Sequence, residues 1–62
     1  MYFSDLTQDK VGKKYTFGIT HFGHGLKGII MKIDLDLIVI KFDIIPDAVI
    51  FTQHHLADMY FE

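Results

Sequence analysis

Residues 15–42, with the sequence YTFGITHFGHGLKGIIMKIDLDLIVIKF, decide the fold of this 62-residue chain. Two apolar, alternating runs flank a glycine-punctuated segment, and all five glycines of the chain lie between Gly12 and Gly28. Because glycine carries no side chain, it lets a short chain turn sharply and brings two backbones close together. The pattern predicts an all-β fold, a small five-stranded barrel with strong curvature.

Alternation of apolar and polar residues predicts the strands on either side of the glycine segment. Residues 13–20 form the first strand, and residues 21–27 form a loop before Gly28 opens the second. The inward side chains are expected to be Tyr15, Phe17 and Ile19 in the first strand and Ile29, Met31, Ile33 and Leu35 in the second.

The apolar phase then changes by one residue, because beyond Leu37 the inward set becomes Ile38, Ile40 and Phe42. A change of phase requires a turn or a bulge. Residues 34–36 are the only polar break, so we predict a tight hairpin there. One continuous strand with a bulge is the alternative.

The last third of the chain predicts a turn, two short strands and a one-turn helix. Pro46 lacks a ladder donor and Asp47 favours turn conformations, which predicts a turn over residues 43–47. Residues 48–52 form a fourth strand with Val49 and Phe51 inward. Residues 53–56 are predicted as a 3-10 turn that places Leu56 as an apolar plug, and residues 57–61 as the fifth strand.

The N-terminal residues 1–12 are predicted to form a cap segment on a single domain whose barrel spans residues 13–61. Ser4 or Asp5 can cap a short helical turn over residues 4–12, and Gly12 suits the left-handed residue that follows. Such a short turn is not stable alone, so we expect it to cover one end of the barrel.

Composition limits how this domain is stabilised. Half of the residues are hydrophobic, and cysteine is absent, so neither a disulfide nor a cysteine metal site can contribute. A chain of this length buries only about 60% of the surface of its unfolded form, which leaves stability to dense packing. No secretory signal and no membrane-spanning segment are predicted. We therefore expect a cytoplasmic protein of a bacterium or of a phage-infected host.

Several short motifs resemble those of SH3-like barrels of the Tudor/KOW type. His21-Phe22-Gly23-His24-Gly25 is similar to the F-G-x-G portion of the H-x-x-F-G-x-G-x-V motif in the C-terminal domain of UvrD/PcrA-type helicases. Ile40-Lys41-Phe42-Asp43 resembles the V-x-F-D strand of that domain, and Leu56 its apolar residue after the last turn. The two-residue spacer after the histidine is missing, and residues 25–30 instead resemble the G-x-x-G-x-V/I turn of KOW-type barrels.

The resemblance covers residues 12–60 and implies a binding role without chemistry. In such families the barrel contacts RNA polymerase, ribosomal components or nucleic acid. A free-standing copy of this size resembles a small phage or mobile-element protein.

The residue types needed for catalysis or metal binding do not form a convincing set. Ser4 is the only serine, no cysteine is present, and the pair Asp34 and Asp36 is expected in a solvated turn. The four histidines are His21, His24, His54 and His55. They could in principle assemble a zinc or nickel site, but solvent-facing loop positions are the favoured interpretation. We predict no enzyme activity, no cofactor and no metal.

Apolar residues exceed what so small a barrel can enclose, which predicts a surface for a protein partner. The expected contact residues are Tyr15, Phe22, Val39, Ile50 and Tyr60, centred on a patch of Val39, Ile50 and Tyr60. Homodimerisation through the same surface, and addition of a partner strand to a sheet edge, stay open.

The lysines offer the alternative function, nucleic-acid binding. Lys13, Lys14, Lys27 and Lys32 could form a basic face beside the glycine loop. Protection of sheet edges by outward lysines is the simpler interpretation. The net charge of −2 and the absence of arginine also count against nucleic acid.

Overall fold

A computed structural model describes residues 1–19, 21–52 and 58–62, and it shows an all-β protein with five antiparallel strands in one sheet. The strands are β1 (Lys14–Ile19), β2 (Gly23–Ile33), β3 (Leu37–Phe42), β4 (Val49–Thr52) and β5 (Tyr60–Phe61), in the order β4-β3-β2-β1-β5. In the described residues no helix has the length and apolar character needed to cross a membrane. The predicted 3-10 turn over residues 53–56, with Leu56, lies outside the described residues.

The N-terminal segment differs from the single helical turn predicted over residues 4–12. It forms two 3-10 turns, Phe3–Asp5 and Gln8–Lys10. Thr7 has an extended backbone between them, which interrupts any continuous helix. Gly12 follows with a φ of 86°, as its left-handed role requires. Leu6 and Val11 pack against the core, so this segment does cover part of it.

The glycine segment is mostly strand, which corrects the loop predicted over residues 21–27. Strand β2 already begins at Gly23, opposite Ile19. The pairing shifts between Phe17 and Gly18, and Gly25, with a φ of 70°, is the extra residue on β2. A glycine bulge of this kind inserts one residue while the two strands stay paired. The alternating pattern gave no sign of that continuation.

The inward set predicted for the second strand is wrong at Ile29, Met31 and Leu35, and the exposed fractions of Met31 and Leu35 are 54% and 87%. Ile30 is buried instead, so Ile29, which pairs with Lys14 and Lys41, lies on the outer face and is half-buried. Ile30 pairs with Ile40 and Lys32 with Val39, which leaves Met31 as a second bulge. The phase therefore changes inside β2, and Ile33 returns to the core side. The predicted hairpin over residues 34–36 is confirmed.

In β1, β3 and β4 the residues that face inward have the predicted parity. The buried hydrophobic residues are Phe17, Ile19, Ile30, Ile38, Ile40, Phe42, Phe51, Met59 and Phe61. The turn over residues 43–47 is also confirmed. The fifth strand is shorter than the predicted residues 57–61, since it comprises Tyr60–Phe61.

Aromatic side chains from alternate strands meet on the inner face of the sheet. The ring centroids of Phe17 on β1 and Phe42 on β3 are 5.8 Å apart, although β2 lies between their strands. Gly28 on β2 lies opposite both Tyr15 and Phe42. Its missing side chain leaves room on the inner face for these rings.

Candidate functional site

Two of the predicted contact residues are direct neighbours on the outer face of the sheet. Val39 on β3 lies opposite Ile50 on β4 and opposite Lys32 on β2. Ile50 is 63% exposed and Val39 is half-buried. The bulge residue Met31 lies next to Lys32 and is also exposed. We call Met31, Val39 and Ile50 the outer-face patch.

Sequence reasoning missed Met31, because simple alternation assigned it to the interior. Aligning the buried residues of β2 with those of β3 could have identified Met31 as exposed. Placing Ile30 opposite Ile40 and Ile33 opposite Ile38 leaves one residue too many on β2. That excess residue has to leave the ladder as a bulge.

Tyr60 belongs to a different part of the sheet. It lies on β5 opposite Gly18, whereas Ile50 lies on β4 at the other end of the strand order. Its ring packs edge-to-face on Tyr2 at 5.4 Å, and its hydroxyl donates to Glu62 Oε2 at 3.3 Å. The negative charge of Glu62, and then this hydrogen bond, raise the pKa of the Tyr60 phenol. Pairing within the sheet does not bring Tyr60 to the outer-face patch.

Phe22 and Tyr15 make mainly internal contacts. Phe22, 40% exposed, stacks on Phe42 at 5.3 Å and meets Phe51 edge-on at 5.1 Å. Tyr15 is half-buried and packs edge-to-face on Phe61 at 5.2 Å. Both residues therefore help to close the core, and only part of the Phe22 ring is available to a partner.

The outer edge of β5 is covered by the N-terminal residues. The Met1 amino group donates to the Phe61 carbonyl at 2.8 Å, and the Phe61 N–H donates to the Met1 carbonyl at 2.8 Å. Tyr2 forms an antiparallel bridge with Tyr60. A partner strand would have to displace these contacts before it could pair with β5.

Two of the four lysines of the alternative site, Lys14 and Lys32, pair with acidic residues. Lys14 Nζ lies 2.6 Å from Asp43 Oδ2, and Lys32 Nζ lies 3.9 Å from Asp34 Oδ2. Neither Lys13 nor Lys27 has an ion pair with an acidic residue of the described segments. A shallow groove beside β1 is lined by Lys14, Tyr15, Thr16, Lys27 and Glu62. This mixture of charges does not form the uniformly positive surface that phosphate backbones favour.

The head group of Lys41 folds back on the chain. Its Nζ donates to the carbonyl oxygens of Phe42 at 2.8 Å and Ile45 at 2.5 Å. These bonds stabilise the turn that follows β3. The half-buried Lys41 thus has a structural role.

The described residues contain no group of three or more histidine, cysteine or acidic residues placed to hold a metal ion. His24 leans over Gly18, with Nδ1 2.8 Å from the position that a Cβ at Gly18 would occupy. His54 and His55 lie outside the described residues, so the predicted solvent-facing position of these two histidines stays a prediction.

Within the described segments, no polar or charged residue is buried. No family model, curated protein or solved structure gives a significant match to this chain.

Proposed function

We propose that this chain is a non-enzymatic protein-interaction module that binds a larger protein through the outer-face patch. The supporting observation is the adjacency of Val39 and Ile50 across two strands, with the exposed bulge residue Met31 next to Lys32, which lies opposite Val39. Single exposed apolar residues are normal on protein surfaces, whereas contiguous ones mark interaction sites. The patch spans three adjacent strands of one sheet, so strand pairing sets the backbone positions of its residues.

We further propose that the sheet curves into an SH3-like barrel. The Phe17–Phe42 contact supports this, as does the contact at 5.1 Å between Phe22 in the β1–β2 turn and Phe51 on β4, because curvature brings such separated elements together. The two bulges of β2 also support it, since bulges bend a strand and increase its twist. On the resemblance of the glycine motifs, the partner would be a polymerase, a helicase or a host factor in a bacterial cytoplasm.

The size of the patch limits what it can do alone. A standard protein interface buries about 800 Å² on each partner, which is roughly a fifth of the 4079 Å² surface of this chain. Three side chains supply only part of that area. We therefore regard the patch as the apolar centre of a larger contact, where a few residues carry most of the binding energy.

The test replaces Ile50 with serine and compares it with Ile44→Ser. Ile44 is 75% exposed in the turn after β3 and serves as a matched control. Full burial of an isoleucine is worth about 1.5–3 kcal/mol. Because Ile50 is 63% exposed, its share is about 1–2 kcal/mol, or roughly 5- to 30-fold in affinity.

Affinity capture from bacterial lysate, with and without nuclease, provides the readout. We expect a protein that the wild type and Ile44→Ser retain, that Ile50→Ser loses, and that nuclease does not release. Capture that disappears with nuclease and weakens steeply with salt would favour the nucleic-acid alternative through Lys13 and Lys27. Equal capture by Ile50→Ser and wild type would contradict the proposal.

A further inference from the structure

A shallow groove lies between the N-terminal segment and the hairpin that joins β2 to β3. Ser4, Leu6 and Gln8 line one side, and Ile33, Asp34 and Leu35 line the other. Leu6 and Ile33 also pack against the core, so they form an apolar floor. Leu35 is 87% exposed, the highest value among the large hydrophobic residues of the described segments. We call this feature the hairpin groove.

Hydrogen bonds hold the two sides of the hairpin groove together. Gln8 Nε2 donates to the carbonyl oxygen of Ile33 at 2.8 Å, which links the N-terminal segment to the end of β2. The Asp34 N–H donates to the Leu37 carbonyl at 2.9 Å and closes the hairpin. The Leu35 N–H donates to Asp34 Oδ1 at 2.8 Å. The exposed leucine is therefore presented by a fixed turn, and the groove exists before any ligand binds.

The charge beside the hairpin groove is negative. Asp34 and Asp36 flank Leu35 in sequence, and both are exposed. Among the described residues, the only cation paired with either is Lys32, whose Nζ lies 3.9 Å from Asp34 Oδ2. Both side chains of this pair are more than half exposed, and such a pair contributes little. Asp36 has no cationic partner in the described part of the chain.

We propose that the hairpin groove binds an extended segment of a partner protein in which an apolar side chain is flanked by lysine or arginine. The apolar side chain would contact Leu6, Ile33 and Leu35. The flanking cations would reach the carboxylates of Asp34 and Asp36, since charge complementarity selects a basic segment over an acidic one.

A second copy of this chain fits the groove poorly. The only place where lysines flank an apolar residue closely is around Val11, between Lys10 and Lys13. Val11 packs against its own core, so its side chain is not available to a neighbour. The hairpin groove and the outer-face patch use different residues, and the inference does not depend on the proposed function.

The test uses a five-residue peptide of alternating lysine and leucine with blocked ends, and a matched peptide with glutamate in place of lysine. Amide chemical shifts of the labelled full chain are followed during titration. We expect the lysine peptide to produce saturable shifts at Leu6, Ile33 and Leu35, and the glutamate peptide to produce none. Saturable shifts elsewhere, or equal binding of both peptides, would overturn the proposal.

Matched variants separate the apolar from the charged contribution. Leu35→Ser should weaken the lysine peptide about tenfold or more, while Ile44→Ser, equally apolar and 75% exposed at the other end of β3, should not. Asp36→Asn should weaken binding and reduce its salt dependence, while Asp47→Asn, in the other turn, should leave both unchanged. Equal effects of the paired variants would contradict the assignment to this groove.

Two further measurements keep the inference separate from its alternatives. Ile50→Ser should bind the lysine peptide as the wild type does, so a failure of the outer-face patch would not affect this result. Sedimentation of the chain alone should not depend on Leu35. Concentration-dependent association that Leu35→Ser abolishes would assign the groove to a second copy and refute the proposal.

Discussion

Replacing Gly28 with a larger residue should destabilise the fold, because its neighbours leave no room for a side chain. The expected loss in the free energy of unfolding follows from three distances. A Cβ there would lie 3.0 Å from the Lys41 carbonyl oxygen, from Ile40 Cγ2 and from Phe42 Cδ1. Overpacking of this kind costs about 1–3 kcal/mol. Alanine also reduces the conformational entropy of the unfolded chain, which offsets about 0.4–1 kcal/mol of that loss. We expect Gly28→Ala to lose about 1–2 kcal/mol, against a total of about 3–9 kcal/mol for a domain of this size.

Urea unfolding followed by far-ultraviolet circular dichroism measures this loss. With a slope of about 1 kcal/mol per molar, the midpoint should fall by about 1–2 M. Gly12 provides a contrast, because its φ is 86° and nothing lies within 4 Å of its added Cβ. Asparagine tolerates that backbone better than alanine does, so Gly12→Asn should be milder than Gly12→Ala. At Gly28 the larger asparagine should be worse. An unchanged midpoint for Gly28→Ala would refute the packing argument.

Three other predictions concern the pH dependence, a surface ion pair and the core. Because Glu62 raises the pKa of Tyr60 above its usual 10, the folded chain holds this proton more tightly. That stabilising contribution is present below pH 10 and lost as the pH rises through the raised pKa. Glu62→Gln should lower the pH at which Tyr60 ionises, measured by tyrosinate absorbance with Tyr60→Phe as the assignment control; an unchanged titration would contradict the role of Glu62. Asp43→Asn should cost less than about 1 kcal/mol, because both members of its pair with Lys14 are about half exposed, and a larger loss in urea unfolding would contradict this. Met59→Ala should cost about 2–5 kcal/mol because Met59 is fully buried, so near-native thermal stability would argue against its place in the core.

Most of the correct predictions came from the alternation of inward and outward residues along the strands. In β1, β3 and β4 the predicted inward residues keep one parity, and the structure buries Phe17, Ile19, Ile38, Ile40, Phe42 and Phe51 as expected. The turn at Pro46 and the left-handed Gly12 follow from local backbone chemistry. These features depend on residues close in sequence, which a single chain displays directly.

The errors have a different origin, since they depend on pairing between distant residues. Neither bulge of β2 has a signal in the composition of the strand. Each is seen only when β2 is paired with its neighbouring strand. That is why Met31 was missing from the predicted patch while Val39 and Ile50 were included. The position of Tyr60 similarly depends on β5 joining β1 at the far side of the sheet.

The unpaired Met31 gives β2 a place where chain length can change without harm to the core. Removing this one residue would leave Ile30, Lys32 and Ile33 as successive ladder partners of Ile40, Val39 and Ile38. Each remaining side chain would keep its side of the sheet, because side-chain direction alternates with every residue. The same deletion within β3 would turn every following side chain over. Insertions and deletions between close homologues should therefore collect at this point, and the geometry of the binding surface would vary with them.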